Sequence, residues 1–185
     1  SSTLLNIKTL NIVNLADLIA GRIHSTIRLQ SRIDTVTQIM EVSEILAEFM
    51  YNISNYVRIN YYDCLDNHSR VEPNKKESLD LESLQRITKW FLKERFVDHP
   101  NIRIFDNKIS EDIITFTCKG HKIIGVHGHK DRSNKVIDNL SLFTQDHYDL
   151  VLSAHEHHFS ADEKNNTLRF SSGTLMGSDE FSENL

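Results

Sequence analysis

From Leu29 to Ile53 the chain places apolar residues at helical spacing, through Ile33, Val36, Ile39, Met40, Ile45, Leu46, Phe49 and Ile53. Recurrence at three and four residues aligns them along one side of a long amphipathic helix. Strand-like runs flank it, Leu10–Leu15 before and Tyr56–Leu65 after, both rich in β-branched or aromatic residues. Strand, helix and strand in succession point to an α/β layer rather than an all-helical or all-β chain.

The same reading extends along the chain. Asn67–Ser78 has no apolar period and contains Pro73, so it is a loop. Leu79–Phe96 returns to helical spacing through Leu81, Leu84, Ile87, Phe91 and Leu92, and Trp90 on that face is expected in the core. After Pro100 the strands cluster: Ile102–Phe105, Asp112–Cys118 and Lys122–Val126, with Lys119-Gly120 as a tight hairpin turn. A shorter helix, Val136–Phe143, precedes strands at Leu150–Leu152 and Thr167–Ser171. The fold class is therefore α/β or α+β, layered, and 185 residues suit one domain spanning 1–185.

Composition removes several functions. A formal charge of −5 argues against binding nucleic acid by bulk electrostatics, though not against local grip on phosphates through metal ions. No apolar run approaches the ~20 residues of a membrane span. Cys64 and Cys118 lack CxxC spacing and read as free thiols of a reducing cytoplasm. The N-terminus has no basic stretch before an apolar core, so no signal peptide is expected, and without a starting Met the chain reads as a piece of something longer.

Four separate strands end in residues suited to a metal: Asp17, Asn67 with His68, His127, and His155 with His157. Ligands of layered α/β domains gather beyond the carboxyl ends of strands, where loops converge. Carboxylate, amide oxygen and imidazole together suit Mn, Fe, Ni or Zn better than an all-oxygen cage would. In an extended His155-x-His157 both rings would share one face, so two adjacent ions could each take one. Two ions ~3.5–4 Å apart form the usual apparatus for in-line attack on a phosphate ester. Each residue also has a plainer reading. Asp17 could cap a helix starting at Leu18, and Asn67 could be a turn residue. His127 is favoured over His129 because it follows directly on its strand, and His158 reads as a surface residue. Asp131 is a candidate to orient a ligand from behind. His24, Arg70, Lys75 and Lys76 lie on loops near the cluster and could contact phosphate or simply be solvated.

The motifs also carry a resemblance. Ala16-Asp17 resembles the Gly-Asp motif of calcineurin-like metallophosphoesterases, Asp66-Asn67-His68 their Gly-Asn-His, and Ala154-His155-Glu156-His157 their Gly-His-x-His, each with its first residue changed. His127-Gly128 falls where that family keeps a lone metal-binding histidine. The order agrees from about Leu10 to Asp179. The surroundings of Asn67 and the stretch Leu175–Asp179 resemble the phage and bacterial DNA-repair exonuclease-like subgroup. The resemblance implies two packed mixed β-sheets flanked by helices, a four-layer sandwich. It implies Asp17 bridging two divalent metals, with Asn67, His127 and His155 on one ion and His157 on the other. It further implies a metal-held hydroxide as nucleophile, His68 assisting the leaving oxygen, and a phosphodiester, DNA among the candidates, as substrate in a bacterial or phage-infected cell. Mn is the expected metal, with Fe, Ni, Zn or Mg as alternatives; His24 and Arg70 are candidate substrate contacts.

One element of the family pattern is absent. No Asp-x-His precedes Ala16, so the chain is expected to be N-terminally truncated. One ion is then well held and the other weakly. A non-catalytic scaffold on the same fold is the competing expectation.

Overall fold

The computed structural model describes residues 6–130 and 135–174; Asp131 and Leu175–Asp179, singled out above, lie outside them. Strands β1 (Thr9–Asn14), β2 (Arg58–Asp63) and β3 (Ile102–Ile104) form a parallel sheet in that order. The second sheet has the order β4-β5-β6-β8-β7, from β4 (Ile113–Cys118), β5 (His121–Val126), β6 (Leu150–Ser153), β7 (Ser160–Lys164) and β8 (Thr167–Ser171). It is mixed: β5, β6 and β8 run parallel, while β4 and β7 pair antiparallel at its two sides.

Alternation along β2 decides the layering. Ile59 and Tyr61 face one way, into a core with Ala47 and Met50 of α2 (Thr35–Ser54) and Leu92 of α3 (Gln85–Arg95). Met50 and Leu92 are fully buried, each contributing about 1.5–3 kcal/mol relative to exposure. Tyr62 faces the other way and stacks on Phe116 of β4 at 4.4 Å between ring centroids, so the two sheets lie against each other. On the far side of the second sheet, Ile124 and Val151 pack with Val136, Ile137 and Leu140 of α4 (Val136–Thr144). Helices, sheet, sheet and helix make the four layers expected from the sequence.

Several elements differ in detail. The long helix begins at Thr35, not near Leu29, because the Asp34 carboxylate accepts the N–H groups of Val36 and Thr37 and caps it. Before it, a short helix α1 (Ser25–Gln30) ends in extended backbone at Ser31. α3 begins at Gln85, six residues later than its period suggests. Residues 79–84 are instead tied back to the loop by the Arg70–Ser83 bridge and by Leu84 N–H donating to Ser69 O.

Trp90 is not in the core; it is 61% exposed. The face of α3 that turns inward carries Gln85, Thr88, Lys89 and Leu92. Lys89 can be buried there because its ammonium meets the buried Asp63 carboxylate at 2.9 Å and Asn107 Oδ1 at 2.7 Å. The apolar side of the helix, with Ile87 and Trp90, is left outside. In α2 the inward stripe is Ile39, Ser43, Ala47, Met50 and Ser54, so Val36, Met40 and Ile45 are exposed.

β7, Ser-Ala-Asp-Glu-Lys, lacks any apolar alternation and is invisible to hydrophobic patterning. It is joined to β8 by Asn165 and Asn166, both at positive φ, the geometry of a two-residue hairpin turn. Lys119 (φ 52°) and Gly120 (φ 90°) make the hairpin expected between β4 and β5.

Candidate metal centre

The carboxyl ends of β1, β2, β5 and β6 deliver the side chains of the site. Asp17, His127 and His155 each offer a ligand atom, and these atoms lie within 4.8 Å of one another. Asp17 Oδ2 is 3.3 Å from His127 Nε2 and 3.7 Å from His157 Nε2. Asn67 Oδ1 lies 3.1 Å from His127 Nε2, and His155 Nδ1 lies 3.2 Å from the same nitrogen. Asp17, Asn67 and His155 are thus brought together around His127 Nε2, and His157 approaches them through the shared Asp17 oxygen.

His127 shows what the cluster is suited to hold. Its ring is 1% exposed and its Nδ1 is 2.8 Å from the backbone oxygen of Leu15. A carbonyl only accepts, so Nδ1 carries the proton and, in the neutral ring, Nε2 presents a lone pair. That lone pair faces the oxygens of Asp17 and Asn67 and a nitrogen of His155. The Asp17 and Asn67 oxygens and the His127 lone pair repel one another unless a proton or a cation lies among them; the His155 ring nitrogen can supply the first as a donor or join the second as a ligand. Asp17 Oδ1, buried and without a hydrogen-bond partner, adds a further lone pair of the same kind. The donor set fits a divalent ion, with imidazole, carboxylate and amide oxygen as its ligands.

The backbone reaches this geometry through left-handed turns. Asp17 caps no helix: it lies in an irregular loop, with α1 starting only at Ser25. Ala16 (φ 73°) and Asp17 (φ 52°) are both left-handed, held at one side by Asn14, whose Oδ1 accepts the Ala16 N–H while its Nδ2 donates to the buried Tyr61 hydroxyl. His155 (φ 73°) and His157 (φ 57°) are left-handed as well. The extended His-x-His geometry does not occur, since β6 ends at Ser153; the loop, not strand alternation, aims the two rings. Gly128 (φ 110°) lies between the histidine loops, where a Cβ would stand 3.2 Å from Ala154 O.

His68 is turned by its own backbone contact, Nδ1 donating to Ala20 O at 3.0 Å, which leaves Nε2 as the ring's working nitrogen. The His24 ring is 5.5 Å from the His68 ring, tilted by 58°. Arg70 Nη2 donates to Pro73 O at 3.3 Å within its own loop, while its buried Nε has no hydrogen-bond partner. Lys75 and Lys76 are exposed, and so is His158.

Two residues matter more than their sequence suggests. His129 comes within 5.4 Å of the His127 ring and 6.2 Å of the His155 ring, and its Nδ1 is buried without a partner. Burial, aided by the neighbouring His127, lowers its pKa to about 3; burial lowers that of His155 too. Asp66, 5% exposed, bonds to the N–H of Asp17 and of Ser69. Its only signal in the sequence is that a carboxylate stands where the resembling motif has glycine. A cavity of about 530 Å³ opens beside the cluster, sharing His127, Gly128 and His129 and walled by Leu65, Val126, Leu140 and Phe143.

No protein-family model matches the chain, and no curated protein matches it. Among solved structures, an archaeal phosphodiesterase is similar at 14% identity and a TM-score of 0.41, over 90% of this chain and 84% of its own. A conserved protein of Streptococcus pneumoniae TIGR4, described as a predicted phosphoesterase, is similar at 19% identity and 0.37, over 72% and 66%. Vps29 of Entamoeba histolytica, complexed with zinc, is similar at 10% identity and 0.38, over 90% and 73%. Likeness this loose carries no argument about chemistry, which rests on the cluster itself.

Proposed function

We propose that the chain is a metal-dependent phosphoesterase of the calcineurin-like kind. The observation that carries this reading is the convergence of the Asp17 and Asn67 oxygens and the His155 ring on His127 Nε2, with Asp17 Oδ1 buried and unpartnered beside them. Asp17, Asn67, His127 and His155 would hold one divalent ion, with Mn the expected occupant, and His157 with Asp17 would hold a second. Divalent ions in such a site polarise phosphate oxygens and acidify water.

The remaining work falls to the chain. His68, with Nδ1 fixed on Ala20 O, presents Nε2 to donate a proton or hydrogen bond to the departing oxygen. His24 stands beside it as a second donor for the phosphate. The apolar cavity sharing His127 favours an ester bearing a flat or apolar group, a nucleobase included, over a bare phosphomonoester. A phosphodiester of nucleic acid is the substrate class proposed. Hydrolysis of bis(p-nitrophenyl) phosphate with Mn present tests the reading. His68→Ala should lower kcat by about 10²–10⁴-fold, the usual contribution of a positioned acid. Unchanged turnover in that variant would sink the role of His68.

One observation favours a second reading, a non-catalytic metal-binding scaffold. Among the described His, Cys, Asp and Glu side chains, only Asp17 and His157 are placed to hold a second ion. Tight binding of a single Mn with no hydrolysis of any diester would select the scaffold.

A further inference from the structure

The Asp66 carboxylate reaches across from the β2 loop to the β1 loop. Its Oδ2 accepts the backbone N–H of Asp17 at 2.7 Å, and its Oδ1 accepts the N–H of Ser69 at 2.6 Å. The Ser69 hydroxyl also donates to Oδ2, at 3.0 Å. Asp66 is itself no ligand among the described residues: the cluster consists of Asp17, His127 and His155.

The first of these bonds falls where the backbone most needs it. Ala16 and Asp17 are consecutive non-glycine residues at positive φ, a conformation costing L-residues roughly 1–2 kcal/mol each. Such a turn persists only where its surroundings fix it. Asn14 Oδ1 holds the N–H of Ala16, and Asp66 holds the N–H of Asp17. The two bonds bracket the turn that aims the Asp17 side chain at His127 and His157. Without Asp66, the turn can relax toward right-handed backbone and swing the Asp17 carboxylate out of the cluster.

We infer that Asp66 is the positioning residue for the Asp17 carboxylate, setting the affinity of the metal centre without touching the ion. The inference rests on the proposed metal-binding reading. It differs from a purely local role, in which Asp66 would only close the turn to Ser69.

A substitution can separate the two bonds. In Asp66→Ser a hydroxyl can still accept the Ser69 N–H three residues on, as short polar side chains do in turns, but it is too short to reach Asp17. Mn is titrated calorimetrically into the unaltered chain, Asp66→Ser and Ser69→Ala, with thermal midpoints measured without metal. The expected result is a 10–100-fold weaker Mn affinity in Asp66→Ser, the usual loss when a group orienting a ligand is removed. Ser69→Ala, which keeps the bond to Asp17, should bind Mn as the parent does. Parental affinity in folded Asp66→Ser overturns the inference, and so does an equal loss in Ser69→Ala. If Asp66→Ser does not fold, Asp66→Thr, whose hydroxyl is equally too short to reach Asp17, is judged by the same criterion. A parent chain that binds no Mn overturns the metal-binding reading and this inference with it, whereas loss of the inference alone leaves parental binding intact.

Discussion

Gly21 lies so close to the backbone of His68 that a Cβ on it would stand 2.0 Å from the His68 carbonyl oxygen. No side chain fits there, and the φ of +69° at Gly21 is itself one that L-residues avoid. The contact joins the loop after β1 to the loop after β2, and Ala20, the neighbouring residue, supplies the oxygen that orients the His68 ring. Gly21→Ala must therefore push His68 away. Displacement of a catalytic group by about 1 Å costs on the order of 100-fold in rate. The expected outcome is a kcat about 100-fold below the parent in the Mn-dependent diesterase assay. A variant with parental kcat would show that His68 does not act from the position seen here.

The ion pair between Lys89 and Asp63 makes a prediction about stability. Both side chains are buried, at 9% and 2% exposure, and Lys89 also meets Asn107. Asn107 in turn donates to the carbonyls of Asp63 and Ile113, fastening β2 to the start of β4. Removing one partner of a buried pair leaves a charge without compensation, at about 3–5 kcal/mol. Lys89→Ala should lose about that much in urea unfolding, whereas Lys89→Met with Asp63→Leu should lose much less. Equal losses would place the stabilisation in packing rather than charge.

What the sequence allowed to be read follows from the scale of the signal. Strand ends occupied by Asp17, Asn67, His127, His155 and His157 were legible because an apolar run and a polar terminus are both local patterns. Their convergence was legible because parallel strands put those termini on one edge. Trp90 was misplaced because apolar spacing says which residues align but not which side of the helix faces inward. That choice was made by Lys89 finding Asp63 on another element. β7 carries no apolar pattern at all, and its pairing is with β8 through the backbone. The left-handed turn at Ala16 and Asp17 is held on one side by the nearby Asn14 and on the other by a loop far away in sequence. Asp66 reaching Asp17 is that distant contact, and no spacing rule contains it.

Acid sensitivity follows from the histidines of the site. His129 has its pKa lowered from 6.5 to about 3, chiefly by burial. The unfolded chain therefore binds a proton that the folded chain refuses, throughout the interval between those values. Stability from this group is complete above about pH 6.5 and is lost as the pH falls toward 3. His155, lowered by the same cause, acts in the same direction. Asp63 and Asp66, raised by burial, act in the opposite direction above pH 3.8. The contribution of His129 is isolated by comparing the metal-free parent with His129→Gln. Between about pH 7 and pH 4 the thermal midpoint of the parent should fall more steeply than that of the variant. Parallel curves would contradict the assigned cause.

Metal stoichiometry decides how complete the centre is. Asp17, His127 and His155 share one set of ligand atoms, with Asn67 Oδ1 at 3.1 Å from His127, so one ion is well provided for. His157 faces the same Asp17 oxygen from 3.7 Å, and among the described residues no further His, Cys, Asp or Glu completes a group of three with them. Titration with Mn should give one tight site and a second that is weak or undetectable. Because ligating imidazoles must be unprotonated, the tight site should weaken as the pH falls. His155→Ala should abolish tight binding, whereas His157→Ala should leave it nearly intact. Two equivalent tight sites would mean that the second ion draws ligands beyond Asp17 and His157, and loss of tight binding in His157→Ala would mean that both ions depend on one shared arrangement.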